Sequence, residues 1–202
     1  MVNLGYSMDK ETVEQIIVDS CAPFLMGLRA VCMIAAEDEA LNELHEIFAQ
    51  SDIEVYPIGV QGRGRNLFLL YREYRLAGEL LHSTTAVRLH EAGYDDLRLP
   101  AVLHRLSERY HAFLDGRIPF PHEIGLILGY PVEDVDGFVE HRGENYIYSG
   151  YWKVYANLPS KMQLFERYRR AENTVADLYY DCNIDVRTIV QSLCMEDTAQ
   201  AV

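Results

Sequence analysis

The sequence lacks any apolar run long enough to cross a bilayer, and its first ten residues show no basic stretch followed by an apolar core. A membrane-spanning helix needs about 20 consecutive apolar residues, and a secretory signal needs a basic segment before an apolar one. We therefore expect no membrane partner and no export, and the sequence predicts a cytoplasmic location.

Cysteine is also scarce. The four cysteines, Cys21, Cys32, Cys182 and Cys194, are widely and irregularly spaced, and no two of them form a C-x-x-C pair. This spacing argues against a zinc ribbon, a thioredoxin-like motif and the dense disulfide framework of small secreted domains. We expect reduced thiols and no metal site.

Positively charged residues are also few. The 202 residues include 18 Lys and Arg against 31 Asp and Glu, a net charge of −13. Phosphate backbones repel such a chain, so nucleic acid is not an expected partner. Small anionic ligands remain compatible with local clusters of basic residues. The length predicts a single domain over residues 1–202.

Apolar patterns predict an α/β (α+β) fold. Residues 30–35 form an apolar run typical of a buried strand, and 53–60 and 66–71 predict a hairpin. Pro57 lacks a ladder donor, which places its strand at an edge or in a bulge. We expect a small mixed sheet of three to five strands, with 145–155 as a candidate extension, covered by several helices.

Helical spacing of apolar residues dominates the rest of the chain. A helix over 9–20 is predicted to end or change direction at Pro23, and a second helix is predicted over 37–50. The C-terminal half is expected to be rich in helices, predicted over 75–82, 84–92, 100–114, 121–128, 132–141, 159–182 and 185–194.

Residues 144–155 predict an aromatic hairpin. Ser149 and Gly150 suit a two-residue turn, which would pair Tyr148 with Tyr151. Because side chains alternate between faces, Ile147, Trp152 and Val154 would face the core. The opposite face would carry Glu144, Tyr146, Tyr148, Tyr151, Lys153 and Tyr155. Such a face can stack on a flat ligand and hydrogen-bond its edges; the alternative is that these tyrosines only pack under neighbouring helices.

His122 and Glu123 fall in a predicted first helical turn and could act as a general base. Tyr151 or Lys153 would then serve as the electrophile. The alternative is a capping carboxylate and a histidine bonded to backbone. Leu126 stands where the second histidine of H-E-x-x-H would be needed, so a zinc hydrolase is excluded.

Two further candidates lie in the N-terminal half. Cys21, at a predicted helix end, could be a nucleophile if positive groups surround it; a buried, inert thiol is the alternative. Arg63 and Arg65, in the loop of the predicted hairpin, could bind a phosphate or an acidic partner; an ordinary loop is the alternative.

Three blocks give the chain a family resemblance: Cys21-Ala-Pro23, Gly64-Arg65 running into 67–72, and the long block from Phe120-Pro-His-Glu-Ile-Gly125 to Gly150-Tyr-Trp-Lys-Val-Tyr155. Over residues 14–170 the chain resembles an uncharacterised bacterial family of unknown function, found in anaerobic Firmicutes and relatives. Residues 171–202 are expected to form a helical extension outside the resemblance.

The chain departs from the family pattern at two places. Members often have lysine at the position of Arg29 and cysteine between the positions of Asn145 and Gly150. The resemblance implies no established activity, although family genes occur near flavodoxin and ferrous-iron transport genes, which favours iron or flavin metabolism. No thiol or metal role built on the missing cysteines is carried over to this chain.

These observations favour an accessory protein that binds a small aromatic ligand, a cofactor of undecided identity or a redox protein. A small proton-transfer enzyme, an isomerase or a lyase, is the second hypothesis. A structural subunit that forms a homo-oligomer through its acidic surface and the helix at 185–196 is the third.

Overall fold

A three-stranded antiparallel sheet lies at the centre of the fold in the computed structural model, which describes residues 11–61 and 65–200. Its strands are β1 (Val31–Glu37), β2 (Ile53–Gln61) and β3 (Arg65–Arg72), and β3 lies between the other two. The predicted α/β fold with a small helix-covered sheet is confirmed. The strands are all antiparallel instead of mixed, because β3 returns from β2 through a hairpin and enters between β1 and β2.

Both faces of the sheet are covered. Neighbouring residues of a strand point to opposite faces, yet Phe68, Leu69 and Leu70 of β3 are all fully buried. Burial on both faces explains why residues 67–70 of β3 are all apolar instead of alternating between apolar and polar. Strand β2 lies at an edge, and its register with β3 shifts between Pro57 and Gly59. The edge position and the bulge expected from Pro57 are both present.

Helices α1 (Val13–Leu25) and α2 (Ala40–Phe48) pack on one face of the sheet. Helix α1 begins at Thr12, whose hydroxyl accepts a hydrogen bond from a backbone N–H of the first turn, as N-cap residues do. The expectation that Pro23 ends the helix is wrong. Pro23 lies in the last turn, where the missing N–H removes one hydrogen bond, and the helix stops only after Leu25.

Five helices cover the other face or extend from it: α3 (Glu73–Leu80), α4 (Ser83–Glu91), α5 (Leu99–Leu114), α6 (Ile124–Ile127) and α7 (Val132–Glu140). Their buried side chains form a second core with the residues of the sheet that point away from α1. This core includes Leu69, Leu76, Leu80, Leu89, Leu103, Leu106 and Ile127.

The C-terminal segment starts with a short hairpin of β4 (Tyr148–Ser149) and β5 (Lys153–Val154), which forms a sheet of its own and does not extend the central one. Helix α8 (Leu158–Ala176) and α9 (Val186–Gln200) then pack against α1, with a π-helical turn at Asp177–Asp181 between them. No helix within the described ranges has the length and apolar character needed to cross a bilayer.

Candidate functional site

The register of the β4–β5 hairpin differs from the predicted one. Tyr148 pairs with Val154 instead of Tyr151, and Ser149 pairs with Lys153. Residues 150–152 form the connection, within which the backbone N–H of Gly150 donates a 3.1 Å hydrogen bond to the carbonyl oxygen of Trp152. The connection packs closely on α8, since an added Cβ at Gly150 would come within 2.5 Å of the ring of Phe165.

In the observed register, the three residues that were predicted to face the core are not all buried. Trp152 and Val154 are buried as expected, but Ile147 is 58% exposed, so its predicted burial is wrong. Because Tyr148 now stands opposite Val154, its ring approaches Phe165 at 6.3 Å between centroids.

The tyrosines of the hairpin consequently do not form one continuous face. Tyr151 packs on Phe165, with 5.1 Å between ring centroids. Tyr155 stacks on His141 at 5.7 Å, and its hydroxyl oxygen is buried with no hydrogen-bond partner in the described parts of the chain. Tyr146 lies 4.7 Å from the Nζ atom of Lys153.

Glu123 belongs to a buried polar cluster instead of a first helical turn, because α6 begins only at Ile124. Its Oε1 accepts hydrogen bonds from Nε of Arg109 and from the hydroxyl of Tyr94, the latter at 3.3 Å. Burial raises the pKa of Tyr94, and the neighbouring carboxylate of Glu123 raises it further. Sequence reasoning missed Arg109 and Tyr94, which are distant along the chain and follow no recognisable spacing.

An aromatic cavity of about 450 Å³ lies between α6, α7 and the hairpin. Most of its wall is apolar. The lining residues are Met33, Phe120, His122, Ile124, Gly125, Leu128, Tyr130, Asp134, Val135, Phe138, Tyr151, Trp152 and Lys153. Three of the predicted site residues, His122, Tyr151 and Lys153, thus come together around one space, whereas Glu123 does not line it.

The imidazole of His122 stands in a row of rings along this cavity. Its centroid lies 5.3 Å from that of Phe120 and 5.3 Å from that of Phe138. Within the described residues, neither ring nitrogen has a hydrogen-bond partner, so both nitrogens can serve a ligand.

Lys153 contributes a cation to the cavity wall. Its Nζ donates a 2.6 Å hydrogen bond to the carbonyl oxygen of Gly143, and the rings of Tyr146 and Phe138 lie beneath it at 4.7 and 5.8 Å. No carboxylate in the part of the chain that the structure describes forms an ion pair with it.

Tyr151 presents its ring to the cavity. Burial raises the pKa of Tyr151 above its usual range, and the nearby carboxylate of Glu172 in α8 raises it further. Tyr151 therefore remains a neutral phenol at physiological pH.

Asp134 holds the cavity wall in place from α7. It is 2% exposed, and its oxygens accept hydrogen bonds from Nε1 of Trp152 at 2.7 Å and from the backbone N–H groups of Tyr155 and Ala156. Nζ of Lys161 lies 3.6 Å away. Asp134 was not predicted as a site residue, because a carboxylate in a first helical turn is also what the helix dipole favours.

A family model described as "Protein of unknown function (DUF3793)" matches residues 17–189. The chain belongs to this family. The DUF3793 match confirms the predicted resemblance to an uncharacterised family and continues beyond residue 170. No curated protein and no solved structure matches the chain significantly.

Cys21 of this DUF3793 protein lies in the core between α1 and β1 and does not line the cavity. It is fully buried, and its Sγ lies 2.8 Å from Sγ of Cys32. Burial raises the pKa of Cys21 well above its ordinary value, whereas the hydrogen bond between the two thiols lowers that of Cys32. Cys21 is thus separated from the groups that could act with it as a nucleophile.

The two predicted basic loop residues of this DUF3793 protein are also apart from the cavity. Arg63 lies outside the described residues. Arg65 donates to the carbonyl oxygen of Ala35 and lines a shallow acidic pocket with Glu37 and Glu43. Across the described ranges, no group of three or more His, Cys, Asp or Glu side chains could hold a metal ion.

Proposed function

We propose that this protein is an accessory protein that binds a small, flat aromatic ligand in the cavity beside His122. The observation that carries the proposal is the composition of the cavity wall, which combines aromatic rings with two polar side chains, His122 and Lys153, that can still take up further hydrogen bonds. Ligand sites are typically apolar clefts of about 300–1,000 Å³ with a few polar groups that orient the ligand.

A larger groove of about 860 Å³ lies along α3, α4 and α7, but it is a weaker candidate. Three of its charged side chains are already engaged: Asp136 pairs with Arg88, Glu133 with Lys161, and Arg75 donates to a backbone carbonyl. A ligand there would have to compete with these contacts.

Trp152 provides a direct test, because it lines the cavity and is the single tryptophan of the sequence. Flavins, haem, nucleotides and small aromatic acids are titrated while the tryptophan emission and the melting temperature are followed. A ligand that binds only the folded state raises stability by about 2.7 kcal/mol at a concentration of 100 times Kd. Failure of every compound to change either signal would refute the proposal.

Two neighbouring residues of α7 give matched variants. Phe138 lines the cavity, whereas Val139 is 50% exposed and does not. We expect Phe138→Ala to abolish the ligand-induced change and Val139→Ala to preserve it. Equal binding by both variants would show that the ligand lies elsewhere.

A proton-transfer enzyme is the second candidate, and the observation in its favour is that His122 and Lys153 line the same cavity. His122 would act as the base, since Glu123 is committed to Arg109. Such an enzyme would exchange a carbon-bound hydrogen of its ligand for deuterium in D₂O, and His122→Phe would stop the exchange. A binding protein would leave the isotopic composition of the ligand unchanged.

A further inference from the structure

We infer that the ligand of the cavity is a monoanion: a flat apolar ring system with one carboxylate, which Lys153 and His122 bind. This inference rests on the proposed function and adds the chemical class of the ligand. It depends on which charged groups of the cavity wall are already compensated and which are not.

Lys153 is the uncompensated cation. An ammonium group has three donors, and the described residues account for one of them, the bond from Nζ to the carbonyl oxygen of Gly143. The contrast with Lys161 is informative, because Nζ of Lys161 lies 2.6 Å from Glu133 and 3.6 Å from Asp134. Lys153 is half-buried and has no ion pair among the described residues, although the chain carries a net charge of −13.

Asp134 also lines the cavity, but its negative charge does not oppose an anionic ligand strongly. The indole of Trp152 and two backbone N–H groups donate to its oxygens, and Lys161 lies beside it. These three N–H groups stabilise the carboxylate, and the ammonium group of Lys161, which donates to Glu133, lies 3.6 Å from it. Lys153 is the lysine of the cavity wall that has no carboxylate partner among the described residues.

The apolar wall strengthens the effect of this cation. Between aromatic rings the effective dielectric constant is far below that of water, which increases the attraction between Lys153 and a carboxylate. A neutral ligand that covers Lys153 would remove water from the ammonium group without replacing it, which is costly. A ring N–H of His122 offers a second donor to the same anion.

One permanent cation and one imidazole suit a single negative charge better than a phosphate dianion. Lysine acts as a point charge and lacks the fork of donors with which arginine binds phosphate. Among the described residues, no arginine lines the cavity. The structure therefore favours an aromatic carboxylate over a phosphorylated ligand.

The test compares 2-naphthoate with its neutral isostere 2-naphthamide by isothermal titration calorimetry on the full chain at neutral pH. We expect the acid to bind at least about tenfold more tightly, since a hydrogen bond to a charged group contributes this much. Raising the salt concentration from about 0.05 to about 0.5 M should weaken binding of the acid and leave the amide unaffected.

Lys153→Met should reduce the preference for the acid to less than about threefold, because the side chain keeps its apolar length but loses its charge. Arg187→Gln is the matched control, since it removes one positive charge from α9, and none of the described side chains of that helix lines the cavity. The comparison of acid and amide on the unaltered chain tests the inference even if the Met variant fails to fold.

The outcomes separate the inference from the proposed function. If the amide binds as tightly as the acid, the inference is overturned while the proposed function stands. If neither naphthalene compound binds, the inference is also overturned, and the wider screen with Trp152 fluorescence decides whether the cavity binds any ligand. A strong preference for the acid that survives Lys153→Met would likewise overturn the assignment to Lys153.

Discussion

Nε1 of Trp152 donates a 2.7 Å hydrogen bond to Oδ2 of Asp134, and this bond ties the β4–β5 hairpin to the first turn of α7. The indole also stacks on Tyr130 at 5.1 Å and meets Phe165 edge to face at 4.7 Å. One residue therefore joins the hairpin to α7, to α8 and to the segment between α6 and α7. The shape of the cavity depends on this junction.

Removing the carboxylate of Asp134 should destabilise the protein strongly. In Asp134→Ala the indole N–H and two backbone N–H groups lose their acceptor, and buried Lys161 loses part of its compensation. Breaking a buried charged cluster by removing one partner costs about 3–5 kcal/mol. Urea denaturation measures the loss in the free energy of unfolding.

The control for this variant is Asp136→Ala in the same helix. Asp136 pairs with Arg88 at 2.7 Å, but both side chains are about 40% exposed (41% and 42%). An exposed ion pair contributes about 0–1 kcal/mol. Similar losses for the two variants would contradict the role given to Asp134.

Glu123 and Arg109 should behave as an energetically coupled pair. Glu123→Leu leaves the guanidinium of Arg109 and the hydroxyl of Tyr94 without their acceptor, and we expect a loss of about 3 kcal/mol. The double variant Glu123→Leu/Arg109→Leu should recover much of this loss, because no unpaired charge remains. A double-mutant cycle measured by denaturation gives the coupling energy, and additive single losses would refute the pairing.

Gly150 should not tolerate a side chain. The Cβ of Gly150→Ala would lie 2.5 Å from Cε2 of Phe165, and overpacking of this kind costs about 1–3 kcal/mol. Gly78→Ala in α3 is the opposite case, since nothing lies within 4 Å of its Cβ, and we expect a gain of about 0.5–1 kcal/mol in helix stability. Thermal unfolding of the two variants should shift in opposite directions.

The cysteines should differ sharply in their reaction with N-ethylmaleimide. Cys182 is exposed, whereas Cys21 and Cys32 are buried in the core. In a Cys194→Ser background, mass spectrometry of the native protein should show one rapid adduct, and three adducts should appear only in guanidinium chloride. Rapid modification of Cys21 or Cys32 in the native state would contradict their placement.

The sequence predicted the central hairpin well and the aromatic hairpin poorly, and the difference has a physical basis. The strands around Pro57 show apolar runs and a turn-forming loop, which are local signals, and the missing proline donor indicates an edge strand or a bulge. In the aromatic hairpin the local signal was Ser149-Gly150. The observed register is accompanied by close packing of the connection on Phe165 in α8, which no local pattern encodes.

The site shows the same division. His122 and Lys153 were named from their chemistry and their place in the aromatic block, and the structure brings them to one cavity. The partners of Glu123 and the three donors to Asp134 come from other segments, and a single sequence gives no spacing that relates them. Contacts of this kind depend on how the helices pack against one another, and no local sequence pattern predicts them.

Met33 lends the cavity one further property. It belongs to β1, whereas the other described lining residues lie between positions 120 and 153, so the pocket is formed by segments that are far apart in the sequence. A bound ligand would contact both segments, and its binding energy would be lost when either segment unfolded locally. In hydrogen exchange, we therefore expect the occupied protein to protect β1 together with the hairpin as a single cooperative unit.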